Sequence, residues 1–536
     1  MQKVVYNGKI YIENDHFEEA ILIDDNMITM IGSNEDVLMS AENAILIDCE
    51  GKTVIPGLND AHIHLLNMAL GAAQVQLNHC RSINDLIDSC RLFIKENPEL
   101  TKDGLGGRGW NQDYFNDQRM PDRHDLDKIS TTIPIVLRRV CGHSLVTNTK
   151  AITMLGLDHS SEQYEGGTFE VDEYGYPTGI FTEKACEKPL ALLPTLDLKT
   201  VRKLLINTME QAVALGITSV QSNDISDFSE DATLIRLIED IYRCEEAPLR
   251  YRFQVCFNDL NSFEDTIKAK AYHLNIDHPW LKLGPLKLYK DGSLGARTAL
   301  MRSPYKDDPK NYGIEVLSGQ EVLAYCKLAE ANRIQVVTHV IGDKATASLI
   351  DIYKQVITKS NRNRHSLIHL QVTDRAQLET IADMQIGVYY QPIFLQYDLH
   401  IVNKRIDEKL ASTSYAFNTL AKLNGKIAYS TDSPVEDCNP FYNIYCAVLR
   451  QDYNGYPEVG FYPLERVDVT KAIDAYTLGS AYVEFAEKTK GRLSVGYLAD
   501  LVVVDQDIFT IEAKNIKDIK PLLTMVDGNI VYRKGL

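Results

Sequence analysis

Val54-Ile55-Pro56-Gly57-Leu58-Asn59-Asp60-Ala61-His62-Ile63-His64 runs from an apolar start, through a Pro-Gly turn, to two imidazoles two residues apart. Residues i and i+2 of a β-strand face the same side. His62 and His64 therefore project together from one strand end, spaced to grip a divalent ion. An H-x-H pair taken alone also fits two structural histidines. What decides is whether further strands of this kind follow, and which polar residues stand at their ends.

Downstream, strand and helix patterns alternate, which implies a parallel sheet. Strand-like runs fall at 58–64, 217–221, 251–257, 283–289, 335–339, 367–369, 386–390 and 426–431, with amphipathic stretches such as 200–215, 320–332 and 345–357 between most of them. Eight strands close an α/β barrel of the (β/α)8, TIM-like class. An open doubly wound sheet is the alternative, but no glycine-rich phosphate loop follows any of these strands. The barrel is expected over 56–485. Between its first two strands lies a long insertion, 70–195, rich in Asp, Arg, Gly and aromatics, including Gly106-Gly107-Arg108-Gly109-Trp110. An insertion at a βα connection sits over the barrel mouth, so this one is expected to cap the site and line the substrate pocket.

Both ends of the chain are strand-rich. Short runs at 3–6, 20–23, 27–31 and 44–48 alternate with Asn, Asp and Gly turns, and 501–505, 521–526 and 529–532 repeat that texture. Neither end has enough strand for a sheet layer of its own. A small β-sandwich built from both termini, 1–55 with 486–536, is the expected solution.

The composition sets outer limits. With 536 residues, 45% of them hydrophobic and 24% charged, the chain has the make-up of an ordinary globular protein with room for a large core and a smaller domain. A formal net charge of −18 argues against nucleic acid and against an anionic membrane surface as partners. The ten cysteines, among them Cys49, Cys80, Cys141, Cys256 and Cys446, form no C-x-x-C pair and suit reduced thiols in a cytosol. No signal-peptide core opens the chain and no apolar run is long enough to span a bilayer, so a cytoplasmic location is expected.

Collecting the polar residues at the strand ends brings out the chemistry. His62 and His64 end the first strand, Lys287 lies in the fourth, His339 ends the fifth, His369 the sixth and Asp432 the eighth. Each has a plainer explanation. His339 and His369 fit hydrogen-bonded core histidines, Asp432 before Ser433-Pro434 a turn residue, and Lys287 a lysine reaching for water. Together, in order, at the ends of apolar strands that converge in a barrel, they have the composition of a hydrolytic metal centre.

This set resembles the amidohydrolase superfamily, and the surrounding phrases resemble its YtcJ-like, amidohydrolase-3 branch. Those phrases are Pro56-Gly57 with His62 and His64, Asp291-Gly292-Ser293-Leu294-Gly295-Ala296-Arg297-Thr298-Ala299-Leu300, His339-Val340-Ile341-Gly342-Asp343 and Thr431-Asp432-Ser433-Pro434. Arg138-Arg139-Val140-Cys141-Gly142-His143, Glu165-Gly166-Gly167-Thr168 and the tail from Gly491 to Asp505 fit the same branch, so the likeness spans nearly the whole chain. One position departs: such proteins often carry Glu just before the sixth-strand histidine, where this chain has Ile368.

The resemblance implies a metal-dependent hydrolase that attacks a C–N bond (amide, N-formyl or N-acyl) of a small-molecule substrate with metal-activated water. His62 and His64 would hold one ion and His339 and His369 a second. Lys287 would be N-carboxylated by carbon dioxide so that its carbamate bridges the two. Asp432 would orient the water, take its proton and pass it to the leaving nitrogen. Lys290 competes with Lys287 but, three residues on, should face the other way. Zinc is the default divalent metal, as one or two ions, with iron or manganese fitting the same ligands. A homodimer is the assembly the resemblance suggests. A deaminase, a cyclic-imide hydrolase or an isomerase on the same metal site, and a metal-free scaffold relative, are the alternatives.

Three residues are candidates for substrate binding. His143 would touch the substrate carbonyl, or else close a Cys-Gly turn. Trp110, with Tyr114, would give an apolar wall, or else plain packing. Arg297 would bind a carboxylate of the substrate, or else pair with a carboxylate of the insertion.

Overall fold

The structure, a computed structural model, describes residues 1–536 apart from 141, 142, 229, 358 and 359. The described residues fall into two compact units, one made of Met1–Asn67 with Ile206–Leu536 and the other of Met68–Leu205.

The first unit is built around eight parallel strands: β1 (Leu58–Ile63), β2 (Ile217–Ile225), β3 (Arg250–Val255), β4 (Leu281–Tyr289), β5 (Val336–Val340), β6 (Ser366–His369), β7 (Gly387–Tyr390) and β8 (Lys426–Tyr429). They pair in chain order from β1 to β8, as expected of a (β/α)8 barrel. The remaining seam closes just beyond β8. There the Asp432 N–H donates to the His62 carbonyl at 2.9 Å, and the His64 N–H to that of Ser433 at 2.8 Å. The buried Asp60 carboxylate reinforces it by accepting from the Thr431 hydroxyl at 2.6 Å and from the His62 N–H at 3.1 Å. Ala61, Val337, Ile368, Tyr389 and Ala428 fill the interior as one apolar layer, so Ile368 is a packing residue.

Strands from both termini join as expected. Thr53–Pro56 runs antiparallel to Leu501–Val504 inside a six-stranded sheet that also holds Lys9–Glu13, His16–Glu18, Pro521–Val526 and Asn529–Arg533. A four-stranded sheet of Gln2–Tyr6, Ala20–Asp24, Met27–Gly32 and Ile45–Asp48 faces it across one core that includes Val5, Ile21, Ile23, Val54, Leu501, Val503 and Met525. The Lys9–Glu13 and His16–Glu18 strands were not anticipated from the sequence, because their alternation is short and broken by Asn14-Asp15. Pro56-Gly57 is the passage from sandwich to barrel. A Cβ on Gly57 would stand 2.3 Å from the Thr218 hydroxyl, so only glycine lets β1 lie this close to β2. Arg250 at the start of β3 ties the two parts together with bonds of 2.9 and 3.1 Å to Asp500 and 2.8 Å to Asp527.

The second unit has its own six-stranded sheet, Val75–Gln76, Leu105–Trp110, Ile135–Arg139, Ser144–Thr147, Pro177–Glu183 and Gly167–Val171, with separate cores on either side. Among the described residues no helix is long and apolar enough to cross a membrane, and the nine described cysteines are all free thiols. Cys141 and Gly142 of the Arg138–His143 motif lie outside the described residues.

Candidate metal centre

Six side chains meet at the C-terminal strand ends. The His62 and His64 rings are 5.2 Å apart, His62 and His369 5.9 Å, and His339 and His369 4.5 Å. Asp432 Oδ1 lies 3.3 Å from His62 Nε2 and 3.1 Å from His64 Nε2. Lys287 is buried, its ammonium 4.1 Å above the Tyr289 ring, which itself stands 5.7 Å from that of His339. Lys290 faces elsewhere, as alternation requires, and is held by Glu315 at 2.5 Å and the Leu317 carbonyl at 2.8 Å.

Acceptors behind the imidazoles fix which nitrogen each presents. His62 Nδ1 is 2.7 Å from Gln254 Oε1, and the Gln254 amide group donates to the Ala61 carbonyl at 2.9 Å, so its oxygen must face the ring. Gln391 treats His369 Nδ1 likewise at 2.8 Å, its own NH2 donating to the Tyr389 carbonyl and the Ser430 hydroxyl. His64 Nδ1 meets the Asn223 carbonyl at 2.5 Å. All three rings therefore carry the proton on Nδ1 and turn the Nε2 lone pair inward. His339 is reversed: its Nε2 donates to the Gly292 carbonyl at 3.1 Å, which leaves Nδ1 as the free lone pair.

This arrangement answers whether the residues suit a cation. With the protons on Nδ1, neither His62 nor His64 donates to Asp432, and its Oδ1 is a buried acceptor without a hydrogen-bond partner. Two lone pairs and a carboxylate oxygen facing one another repel unless a positive charge lies between them. His62, His64 and Asp432 alone bring three donor atoms within 4.8 Å of one another. Burial holds His62 down at about 4 and His339 at about 3, and His369 well below the usual imidazole range, so all three are neutral donors at neutral pH. Burial would lower His64 too, but Asp432 beside it outweighs this and raises it. Asp432, despite its burial, is held far below the carboxylate range by hydrogen bonds and positive charge at the imidazoles facing it, so it is the anionic partner of whatever positive charge, proton or cation, fills that gap. Burial brings Lys287 down to about 8.

The substrate-side candidates fare differently. Trp110 is wholly buried in the core of the second unit and donates to the Leu137 carbonyl at 2.8 Å, so it is a packing residue and not a pocket wall: its indole already has an apolar site and a partner. Arg297 is engaged by Asp307 at 3.1 and 2.9 Å. That partner belongs to the connection after β4, not to the insertion, and it is shared with the Arg405 guanidinium. His143 is exposed, with Nδ1 3.3 Å from Glu183.

Sequence reasoning missed the residues that orient the ligand candidates. Asn223 in β2, Gln254 in β3 and Gln391 just after β7 are amide side chains at the C-terminal ends of strands, and that placement was the available signal. Asp291 was seen only as part of a phrase. It is buried and accepts from the N–H groups of Leu300, Ile341 and Gly342 at 2.8–3.0 Å, pinning the loops after β4 and β5 beside His339.

The sequence model of the Amidohydrolase family matches residues 46–532, and the chain belongs to that family. YtcJ of Bacillus subtilis (strain 168), an amidohydrolase by name, is 28% identical over 539 residues, all of both chains. The N-substituted formamide deformylase of Arthrobacter pascens is 23% identical over 542 residues, 96% of this chain and 95% of that one. Among solved structures, an uncharacterized metal-dependent hydrolase from Pyrococcus furiosus superposes with a TM-score of 0.76 at 27% identity, covering 95% of this chain and 100% of its own.

Proposed function

We propose that this chain hydrolyses a C–N bond of a small molecule, an amide of the N-acyl or N-formyl type, at a divalent metal centre formed by His62, His64, His339, His369, Asp432 and Lys287. The observation that carries this is the buried, unpartnered Asp432 oxygen set against the inward lone pairs of His62 and His64. The deformylase name of the Arthrobacter relative supports the bond type.

His62, His64 and His369 would bind through Nε2 and His339 through Nδ1, an imidazole-rich set that suits zinc. Bound there, the metal supplies an acidified water and a Lewis acid for the carbonyl oxygen. Asp432 accepts the proton of the attacking water and returns it to the amide nitrogen as the C–N bond breaks, so the carboxylate ends unprotonated and ready for another turnover. Lys287, with its lowered basicity, is a free amine often enough to add to carbon dioxide. The N–C bond forms as one C–O π bond of carbon dioxide opens, one proton leaves the nitrogen, and the amine becomes a carbamate anion that would add a sixth donor, through oxygen, to the four histidines and Asp432.

The test is turnover of a panel of N-formyl, N-acyl and cyclic amides by the full chain with and without a chelator. Loss of turnover on chelation with recovery on adding zinc is expected. Turnover that survives complete metal removal would sink the proposal, and turnover of the cyclic amides alone would move the substrate class.

A further inference from the structure

Just before its last residue β2 carries four polar residues, Gln221-Ser222-Asn223-Asp224, to which the proposed reaction assigns no role. Asn223 is 6% exposed, and its carbonyl and side-chain amide serve three different parts of the site. The backbone carbonyl takes the Nδ1–H of His64 at 2.5 Å. The side-chain oxygen accepts from the Tyr289 hydroxyl at 2.7 Å. The side-chain NH2 donates to the Gln254 carbonyl at 2.9 Å, and Gln254 in turn orients His62 at 2.7 Å. The Tyr289 ring so fixed is the one that lies 4.1 Å under the Lys287 ammonium and 5.7 Å from His339.

We propose that Asn223 is the positioning residue of the metal centre, setting His64 directly, His62 through Gln254, and Lys287 with His339 through Tyr289. This rests on the metal-centred function proposed above. The chemistry of the position is restrictive. A primary amide offers an acceptor to one neighbour and donors to another from separate atoms of the same short side chain. An aspartate would set a carboxylate against the Gln254 carbonyl, and an alanine would release both partners. Among the described residues the Tyr289 hydroxyl makes no other hydrogen bond, so loss of the 2.7 Å bond frees the ring beneath Lys287. Groups that orient a metal's ligands from behind typically govern affinity by about 10–100-fold. A residue that merely fastened β2 to β3 would instead change melting temperature and leave metal affinity alone.

The experiment strips the full chain of metal and titrates it with zinc against a chromophoric chelator, in the native sequence and in Asn223→Ala, Asn223→Asp, Tyr289→Phe and the Asn223→Ala/Tyr289→Phe pair, with thermal melts of each metal-free form. Asn223→Ala should weaken zinc about 10–100-fold and Tyr289→Phe about 10-fold. The pair should be no weaker than Asn223→Ala alone, because both act through one contact. Asn223→Asp, which keeps the acceptor for Tyr289, should fall between. Unchanged zinc affinity in Asn223→Ala or Tyr289→Phe overturns the proposal, as does an affinity loss that tracks the metal-free melting temperature. Should Asn223→Ala fail to fold, Tyr289→Phe decides alone, since that ring reaches the surface. A native chain that takes up no zinc is a separate result, which overturns the metal centre itself.

Discussion

At the seam, His62, His64 and Asp432 come together because the barrel's last backbone hydrogen bonds run directly between them: Asp432 N–H to the His62 carbonyl, His64 N–H to the Ser433 carbonyl. On the opposite side, His339 and His369 stand on the neighbouring paired strands β5 and β6, and their rings pack at 4.5 Å edge to face. The seam pair presents Nε2 twice. The β5–β6 pair presents Nδ1 from His339 and Nε2 from His369, because the acceptor behind His339 is a loop carbonyl reached by the far nitrogen. Identical side chains thus offer different nitrogens according to what stands behind them. The seam half is set by the fold's closure, whereas the other half depends on two loops, one of them pinned by Asp291.

That contrast can be broken or sharpened in order of expected effect. Asp432→Asn keeps the backbone seam and removes the proton acceptor together with an anionic metal donor, so turnover should fall at least about 10²–10⁴-fold with little change in the melting temperature of the metal-free form. A steady-state assay beside a thermal melt checks it, and a collapse of the fold instead would mean the carboxylate is structural. Gln254→Ala and Gln391→Ala each free one imidazole to choose its tautomer, and zinc affinity should drop about 10–100-fold in both. If the seam half is set by closure, the Gln254 variant should suffer the smaller loss in the chelator competition.

The third prediction concerns Lys287. With its amine lowered to about 8, it is an ammonium below that pH and a nucleophile above it. Reactivation of stripped protein by zinc and bicarbonate should therefore quicken as pH rises through about 8, and Lys287→Arg should abolish that dependence. A rate flat in pH would remove the carbamate from the scheme.

The smallest effect lies outside both halves. Burial raises Asp398 to about 6 and Glu436 to about 7. Each binds its proton more tightly folded than unfolded, so the folded state is favoured at the acid end and loses ground as pH climbs from about 4 through 7. Metal-free protein should lose on the order of 1–3 kcal/mol over that window. Denaturant melts of Asp398→Asn and Glu436→Gln should show a flatter dependence.

The six ligand candidates were legible because they obey a local rule: polar residues at the C-terminal ends of apolar strands, in order. Their supporting residues were not. Gln254, Gln391 and Asn223 look like ordinary strand polarity until the strand opposite each is known. Trp110 illustrates the reverse failure. An aromatic after a glycine-rich run suggests a pocket wall, but only packing within the second unit shows that its ring is wholly enclosed.

The sequence by itself determined the eight strands, the pairing of the two termini and the six candidate donors, because periodicity and residue type are properties of a few neighbours along the chain. The tertiary structure alone decided which nitrogen each histidine offers, that Asp432 faces His62 and His64, and that Arg297 shares Asp307 with Arg405. Those outcomes depend on acceptors contributed from tens to hundreds of residues away, such as Gln254 behind His62 at a separation of 192 positions, and no local pattern encodes what closure of the barrel will bring there.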